Sequence, residues 1–169
     1  WHRLVSKLIR NQYNMSLDLG TTLPLSGHFI DYRGSMINWC PIGRDAMPSQ
    51  RKEWDNIDKE NKIRLIAIQE LNVFLENCIN QIGDLAVSDI EIKVKLGGDT
   101  SFDIFPKGWD KTFCLKNFKD FDKIYFIGDR CGQNGNDYEI FNHPDTISFK
   151  TISTENTIEI VNKILSSNV

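Results

Sequence analysis

Gly97-Gly98-Asp99-Thr100-Ser101-Phe102-Asp103-Ile104-Phe105-Pro106-Lys107-Gly108-Trp109-Asp110-Lys111 is the stretch on which the reading of this chain turns. It sets a glycine pair, a hydroxyl and two spaced carboxylates around a short apolar strand, Phe102 to Phe105, which Pro106 and Gly108 stop. Adjacent glycines weaken a strand interior unless something must approach the backbone closely. One reading is a tight β-hairpin with Asp99 in its turn. Another is the floor of a polar ligand site, because Ser101 and Asp103 stand two apart and so share one face of the strand. The two are compatible, and the neighbouring elements decide between them.

Working outward, Glu91 to Leu96 alternates Ile92, Val94 and Leu96 with Glu91, Lys93 and Lys95, the pattern of a half-buried strand leading into the hairpin. Before it, Lys62 to Ile82 carries Leu71, Phe74, Leu75, Cys78 and Ile82 at helical spacing. Phe29 to Tyr32 and Met36 to Cys40 read as short strands joined by the turn Arg33-Gly34-Ser35. Pro48-Ser49 opens a polar helix with Ser49 as its N-cap and Arg51 in its first turn. An arginine there opposes the helix dipole, which suggests that it meets an anion. At the start, Val5, Leu8 and Ile9 predict an amphipathic helix over the first dozen or so residues, broken by Gly20 to Ser26. Asp18-Leu19-Gly20-Thr21-Thr22 approaches a DxDGT phosphoryl-acceptor motif, but Gly20 replaces the second Asp and no buried apolar strand precedes it. The order of elements to this point predicts an α+β layer with an antiparallel sheet.

The character changes after Pro106. Trp109 to Phe118 reads as a helix and Lys123 to Ile127 as an apolar strand ending at Gly128-Asp129, where α/β units usually bind ligands and metals. The polar loop Arg130 to Asn136 follows, then Asp137. Asp129 and Asp137 are hard oxygen ligands that suit Mg²⁺ with several waters retained. Ile147 to Phe149 predicts another strand. Thr154 is expected to cap a final helix whose Ile158, Val161, Ile164 and Leu165 form a buried stripe.

Composition bounds the function. With 169 residues, 40% apolar and 25% charged, the chain is one ordinary globular domain or two small ones. A net charge of −3 without a basic run argues against nucleic acid as a partner, and no apolar run reaches membrane-spanning length, so the chain reads as cytoplasmic. Cys40, Cys78, Cys114 and Cys131 form no CxxC pair and are expected as free thiols. The chain opens on Trp1 inside a helical pattern and reads as a fragment.

Taken together, Gly27-His28-Phe29-Ile30-Asp31-Tyr32-Arg33, Pro41-Ile42-Gly43-Arg44, Gly97-Gly98 with Ser101-Phe102-Asp103-Ile104-Phe105-Pro106, Gly108-Trp109-Asp110-Lys111 and Asn136-Asp137-Tyr138-Glu139-Ile140-Phe141 resemble the eukaryotic phosphomannomutases of the haloacid dehalogenase superfamily. The resemblance implies an α/β protein: an α+β cap domain with an antiparallel sheet and helices at 1–104, then the C-terminal part of a Rossmann-like core at 105–169. It implies interconversion of mannose 6-phosphate and mannose 1-phosphate for GDP-mannose synthesis, with Mg²⁺ and a hexose 1,6-bisphosphate as intermediate or activator. Arg33, Arg44 and Arg51 match the family's phosphate-holding arginines, suited by their planar forks to bidentate contacts. Ser101 and Asp103 match substrate contacts, with Asp103 as a hydroxyl acceptor. Lys111 matches the lysine beside the phosphorylated aspartate, Asp129 the Mg²⁺ ligand and Asp137 its supporting neighbour. A further cation site is matched by Phe141, through its carbonyl, His143 and Thr146. His143 stands where the family usually has an aspartate, and imidazole is a poor ligand for hard cations.

The nucleophilic aspartate and its acid/base partner have no counterpart here, so the chain alone is expected to lack mutase activity, and the core part to leave apolar surface uncovered. By resemblance the first domain is also the homodimer contact. Two other readings stay open: a non-catalytic sugar-phosphate-binding or dimerisation module, and a phosphatase of the same superfamily.

Overall fold

The computed structural model describes residues 1–82, 91–133 and 135–167. The side chain of Ile82, expected in a buried stripe, and Asn134, inside the expected polar loop, lie outside the described residues. The chain forms two compact units, Trp1–Lys107 and Gly108–Val169.

The first unit is a four-stranded antiparallel sheet. Its strands are β1 (Ile30–Tyr32), β2 (Ile37–Trp39), β3 (Ile92–Gly97) and β4 (Ser101–Pro106), in the order β1-β2-β4-β3. The helices are α1 (His2–Leu19), α2 (Pro48–Asn61) and α3 (Ile63–Ile82). Strand alternation divides the sheet into two faces. On one, Ile37, Trp39, Val94, Phe102 and Ile104 pack with Leu4 and Leu8 of α1 and Ala67, Leu71 and Leu75 of α3. Trp39 and Phe102 are cross-strand partners whose rings stack at 4.5 Å, so β2 and β4 are tied at the centre of the core. On the other face, the register places Asp31, Asn38, Asp103 and Lys95 in one row across all four strands.

Several sequence expectations shift. Helix α1 runs on to Leu19 because its buried side is Leu4, Leu8 and Asn11, followed by the partly buried Met15 and Leu19; Ile9 is exposed. Gln12 fixes its middle, accepting from Trp39 Nε1 at 2.9 Å and donating to the Pro41 carbonyl at 2.9 Å. Asp18 is exposed in the last turn of this helix, and no strand precedes it among the described residues. Met47, not Ser49, is the N-cap of α2, because Pro48 occupies the first helical position and Gln50 Oε1 accepts from the Met47 N–H at 2.8 Å. Lys62, expected inside α3, instead ends α2 in a left-handed conformation.

The second unit has a two-stranded parallel sheet of β5 (Ile124–Gly128) and β6 (Thr146–Lys150), connected through α4 (Tyr138–Phe141). Lys111–Asn117 is a 3-10 helix rather than the expected longer one from Trp109; Asp110 starts it by accepting from the Thr112 N–H at 2.9 Å. The last helix, α5 (Thr154–Ser167), is capped by Ser153, whose Oγ accepts from Asn156 N at 3.2 Å, and not by Thr154. Ile158, Val161 and Leu165, expected to be buried, are exposed, as are Phe121, Ile147 and Ile152. Two parallel strands offer too little apolar surface to cover this stripe, since parallel sheets ordinarily bury both faces.

Candidate functional site

The polar row of the first sheet is built around an amide. Asn38 is 2% exposed, with Ile37 and Trp39 on either side of it committed to the opposite face. Its Nδ2 donates to Asp103 Oδ1 at 2.7 Å and to Ser101 Oγ at 3.0 Å, with a longer contact to the Phe102 carbonyl at 3.3 Å. Its Oδ1 accepts from Arg44 Nη1 at 3.1 Å. Ser101 and Asp103 thus share a face and meet on one group. The Ser101 hydroxyl donates to the Gly97 carbonyl, so toward a ligand it is an acceptor, suited to a sugar hydroxyl more than to a phosphate oxygen.

Gly97 has a steric reason to be glycine. A Cβ there would stand 2.8 Å from both Asp103 Oδ1 and Ser101 Oγ, so the close approach is made by the site's own side chains. The β3–β4 connection is a three-residue turn, Gly98 to Thr100, so hairpin and polar floor coexist.

The three arginines are not equivalent. Arg44, half-buried, points one guanidinium nitrogen at Asn38. Arg33, exposed at the β1–β2 turn, pairs through Nε with Asp31 Oδ2 at 2.9 Å, and this bond holds the Asp31 carboxyl below its ordinary range. Arg51 is committed to the protein: Nη2 to the Arg44 carbonyl at 2.6 Å, Nε to the Ala46 carbonyl at 2.9 Å and Nη1 to Thr100 Oγ1 at 3.3 Å. It ties the Arg44 backbone to the hairpin turn, and the anion role expected from its place near a helix start is not where these donors point.

A second arginine, which the sequence reading missed, supports the same turn. Arg64 Nε pairs with Asp58 Oδ2 at 2.7 Å in a buried bridge, and its Nη1 donates to the Gly98 carbonyl at 2.9 Å. Asn38 was missed too. The signal available for it was one polar side chain between Ile37 and Trp39 in an otherwise apolar strand.

In the second unit Lys111 Nζ bonds Asp137 Oδ1, and Asp137 Oδ2 accepts from the Arg130 N–H at 3.0 Å. Burial pushes the Asp137 carboxyl up, but the Lys111 bond and charge and the backbone N–H outweigh it, so the group sits below the ordinary carboxylate range. Gly128 lets it in, since a Cβ at that position would lie 2.7 Å from Asp137 Oδ2. Burial, and then the Asp137 charge, push the neighbouring Cys131 thiol up. All four cysteines are free thiols.

Asp129 differs from Asp137. Its side chain is 67% exposed, with Arg130 Nε at 4.0 Å. Asn136, in the same loop region, has a buried Oδ1 with no hydrogen-bond partner among the described residues. An accessible carboxylate such as Asp129 suits a hydrated hard cation, and the Asn136 amide oxygen is a spare hard acceptor in the same loop region of the sequence, whereas Asp137 is already occupied by Lys111. The other expected cation ligands fit less well. Thr146 Oγ1 donates to the Ile140 carbonyl at 2.7 Å and lies 3.0 Å from that of His143, while His143 Nδ1 accepts from Asp145 N at 3.2 Å. Phe141, at the end of α4, donates its N–H to the Asp137 carbonyl at 2.9 Å. Among the described residues no three His, Cys, Asp or Glu side chains cluster as a metal site, and no helix is long and apolar enough to cross a membrane.

A helix-backed antiparallel sheet with an amide-centred polar face, joined in sequence to a parallel strand pair ending in a lysine–aspartate bridge, defines a mixed α/β protein. A sequence model of the eukaryotic phosphomannomutase family matches residues 3–167, and the chain belongs to that family. It is similar to a phosphomannomutase of Arabidopsis thaliana, 38% identical over 132 residues, which are 78% of this chain and 49% of that protein. A phosphomannomutase of Schizosaccharomyces pombe is 38% identical over 142 residues, 83% of this chain and 51% of the relative. Phosphomannomutase 2 of Dictyostelium discoideum is 39% identical over 139 residues, 80% and 51% respectively. The chain spans about half the length of the curated relatives it matches.

Proposed function

We propose that this chain supplies the sugar-phosphate-recognising cap and part of the Rossmann-like core of a phosphomannomutase, which interconverts mannose 6-phosphate and mannose 1-phosphate in the cytoplasm for GDP-mannose synthesis. The observation that carries the reading is the shared anchorage of Arg44 and Asp103 on Asn38, which holds a cation and an acceptor side by side on one sheet face. A sugar phosphate needs that pair: guanidinium for the phosphate, carboxylate for a hydroxyl. Arg33 adds a second, more exposed cation, and Ser101 a second acceptor for the sugar.

In the core unit Lys111 places a positive charge where the family carries its phosphorylated aspartate, and Asp137 holds that ammonium in place. Asp129, with the Asn136 amide near it in sequence, would hold Mg²⁺. When bound, the ion neutralises charge on the transferring phosphoryl group. The sequence holds no DxDGT pair to accept the phosphoryl group from a hexose 1,6-bisphosphate, so the chain by itself binds without turning over. On the same reading, the cap unit would also carry the family's homodimer contact.

Titration calorimetry of the full chain with mannose 1-phosphate tests the reading. Saturable binding that is lost in Arg44→Ala, with no conversion to mannose 6-phosphate in a coupled assay, is expected. Turnover by the chain alone would overturn the absence of a nucleophile, and no binding by folded protein would overturn the site.

A further inference from the structure

We propose that Asn38 is the positioning residue of the cap site: it aligns Arg44 and Asp103 relative to each other and keeps a charge-neutral bridge between them. The inference rests on the reading of this face as the sugar-phosphate site, and it assigns a role to a residue that the ligand itself need not touch.

Asn38 is bonded to both members of the cation–acceptor pair, through opposite ends of one amide. Without it, a guanidinium and a carboxylate on the same face would be free to pair directly, and each would then be spent on the other instead of on the ligand. The amide prevents this by satisfying both at once: its oxygen takes one Arg44 donor and its nitrogen one Asp103 oxygen. The remaining Arg44 donors and the second Asp103 oxygen stay available. A carboxylate in its place would pair with Arg44 as an ion and repel Asp103. An aliphatic side chain would hold neither.

The position is also fixed from behind. Asn38 lies between the buried Ile37 and Trp39, and Trp39 is stacked on Phe102, the residue between Ser101 and Asp103. Strand register therefore sets where the amide sits: β4 delivers Ser101 and Asp103, and the loop after β2 delivers Arg44. Among the described residues, the charged and titratable groups around it are Arg44, Asp103 and, along the row of the sheet, Asp31 and Lys95, with Arg33 and His28 acting on Asp31.

The test uses the full chain as wild type, Asn38→Asp and Asn38→Ala, with circular dichroism confirming that each folds. Two readouts are taken. The first needs no ligand: NMR of the arginine guanidinium groups reports whether Arg44 is held in slow rotation, with Arg51 as internal reference. Asn38→Ala is expected to release Arg44 and leave Arg51 unchanged. The second is mannose 1-phosphate affinity against pH, as a ratio to wild type. Asn38→Asp is expected to lose about tenfold or more at neutral pH, the worth of a charge-assisted bond. It should recover as the pH falls toward 5, because two facing carboxyls that share one proton again offer a donor to one side and an acceptor to the other.

Unchanged Arg44 rotation in Asn38→Ala, or an Asn38→Asp affinity that tracks wild type at every pH, would overturn the proposal. If wild type binds no mannose 1-phosphate, the sugar-phosphate reading of the face fails, and the NMR readout still decides whether Asn38 positions Arg44. Should Asn38→Ala not fold, the same NMR signal in Asn38→Asp, compared at pH 7 and pH 5, takes its place.

Discussion

Arg64 and Asp58 form a bridge at the α2–α3 junction in which both side chains are more than nine-tenths buried, 2.7 Å apart, and the same arginine reaches on to the carbonyls of Gly98 and Ser101. One ion pair thus joins the helical layer to the hairpin that carries the site. Asp58 also accepts from the Arg64 backbone N–H at 2.7 Å, which braces the chain just after the left-handed Lys62.

Breaking this bridge leaves a buried charge without its partner. Asp58→Asn or Arg64→Met is expected to destabilise the first unit by about 3 kcal/mol, read as a shift in urea midpoint, and the double substitution by less than the sum of the two. Additive losses would show that the two residues act independently.

Gly97→Ala separates recognition from folding. The added methyl displaces Asp103 and Ser101, both 2.8 Å from where it would lie, without touching the core on the other face. Mannose 1-phosphate affinity is expected to fall by about tenfold, or about 1.4 kcal/mol, while the thermal midpoint moves little. A large drop in midpoint at unchanged affinity would contradict this.

Asp137 makes the second unit acid-sensitive. Its folded carboxyl holds a proton less tightly than the unfolded one, so its contribution is complete above the ordinary aspartate range, about pH 4. The contribution is lost as pH falls through the lower folded value. Urea midpoints from pH 7 down to pH 3 should therefore fall for wild type. Asp137→Asn should start lower and show a shallower acid slope; parallel slopes would assign the acid sensitivity elsewhere.

Glu91 reports on the mouth of β3. The Lys107 bond first, and the Lys93 bond second, pull its carboxyl down to about 2. Because the cluster is exposed, salt should screen it. A carboxyl NMR titration is expected to place Glu91 near 2 at low ionic strength and closer to its ordinary value in 1 M salt. A salt-independent value would mean that the hydrogen bonds alone set it.

Local sequence determined a good deal about this protein. Alternation fixed the strand Glu91 to Leu96 and the shared face of Ser101 and Asp103, because a pleated chain sends neighbours to opposite sides whatever it packs against, while short apolar runs of high β propensity marked the strands Met36 to Cys40 and Lys123 to Ile127. The motif order carried the family. Which apolar stripe is buried was not legible: Ile9, Ile158, Val161 and Leu165 have helical spacing, yet helix rotation depends on the partner surface. Nor were the caps at Met47 and Ser153, where several hydroxyls and a proline compete within a few residues. The tertiary structure alone decided that Arg51 and Arg64 hold backbone, that Lys111 meets Asp137, and that a buried Asn38 joins Arg44 to Asp103. Arg64 to Gly98, Lys111 to Asp137 and Asn38 to Asp103 join residues 34, 26 and 65 positions apart, and the shorter reaches from Arg51 to Arg44 and from Arg44 to Asn38 depend on how a loop folds between a strand and a helix, so no local pattern records them.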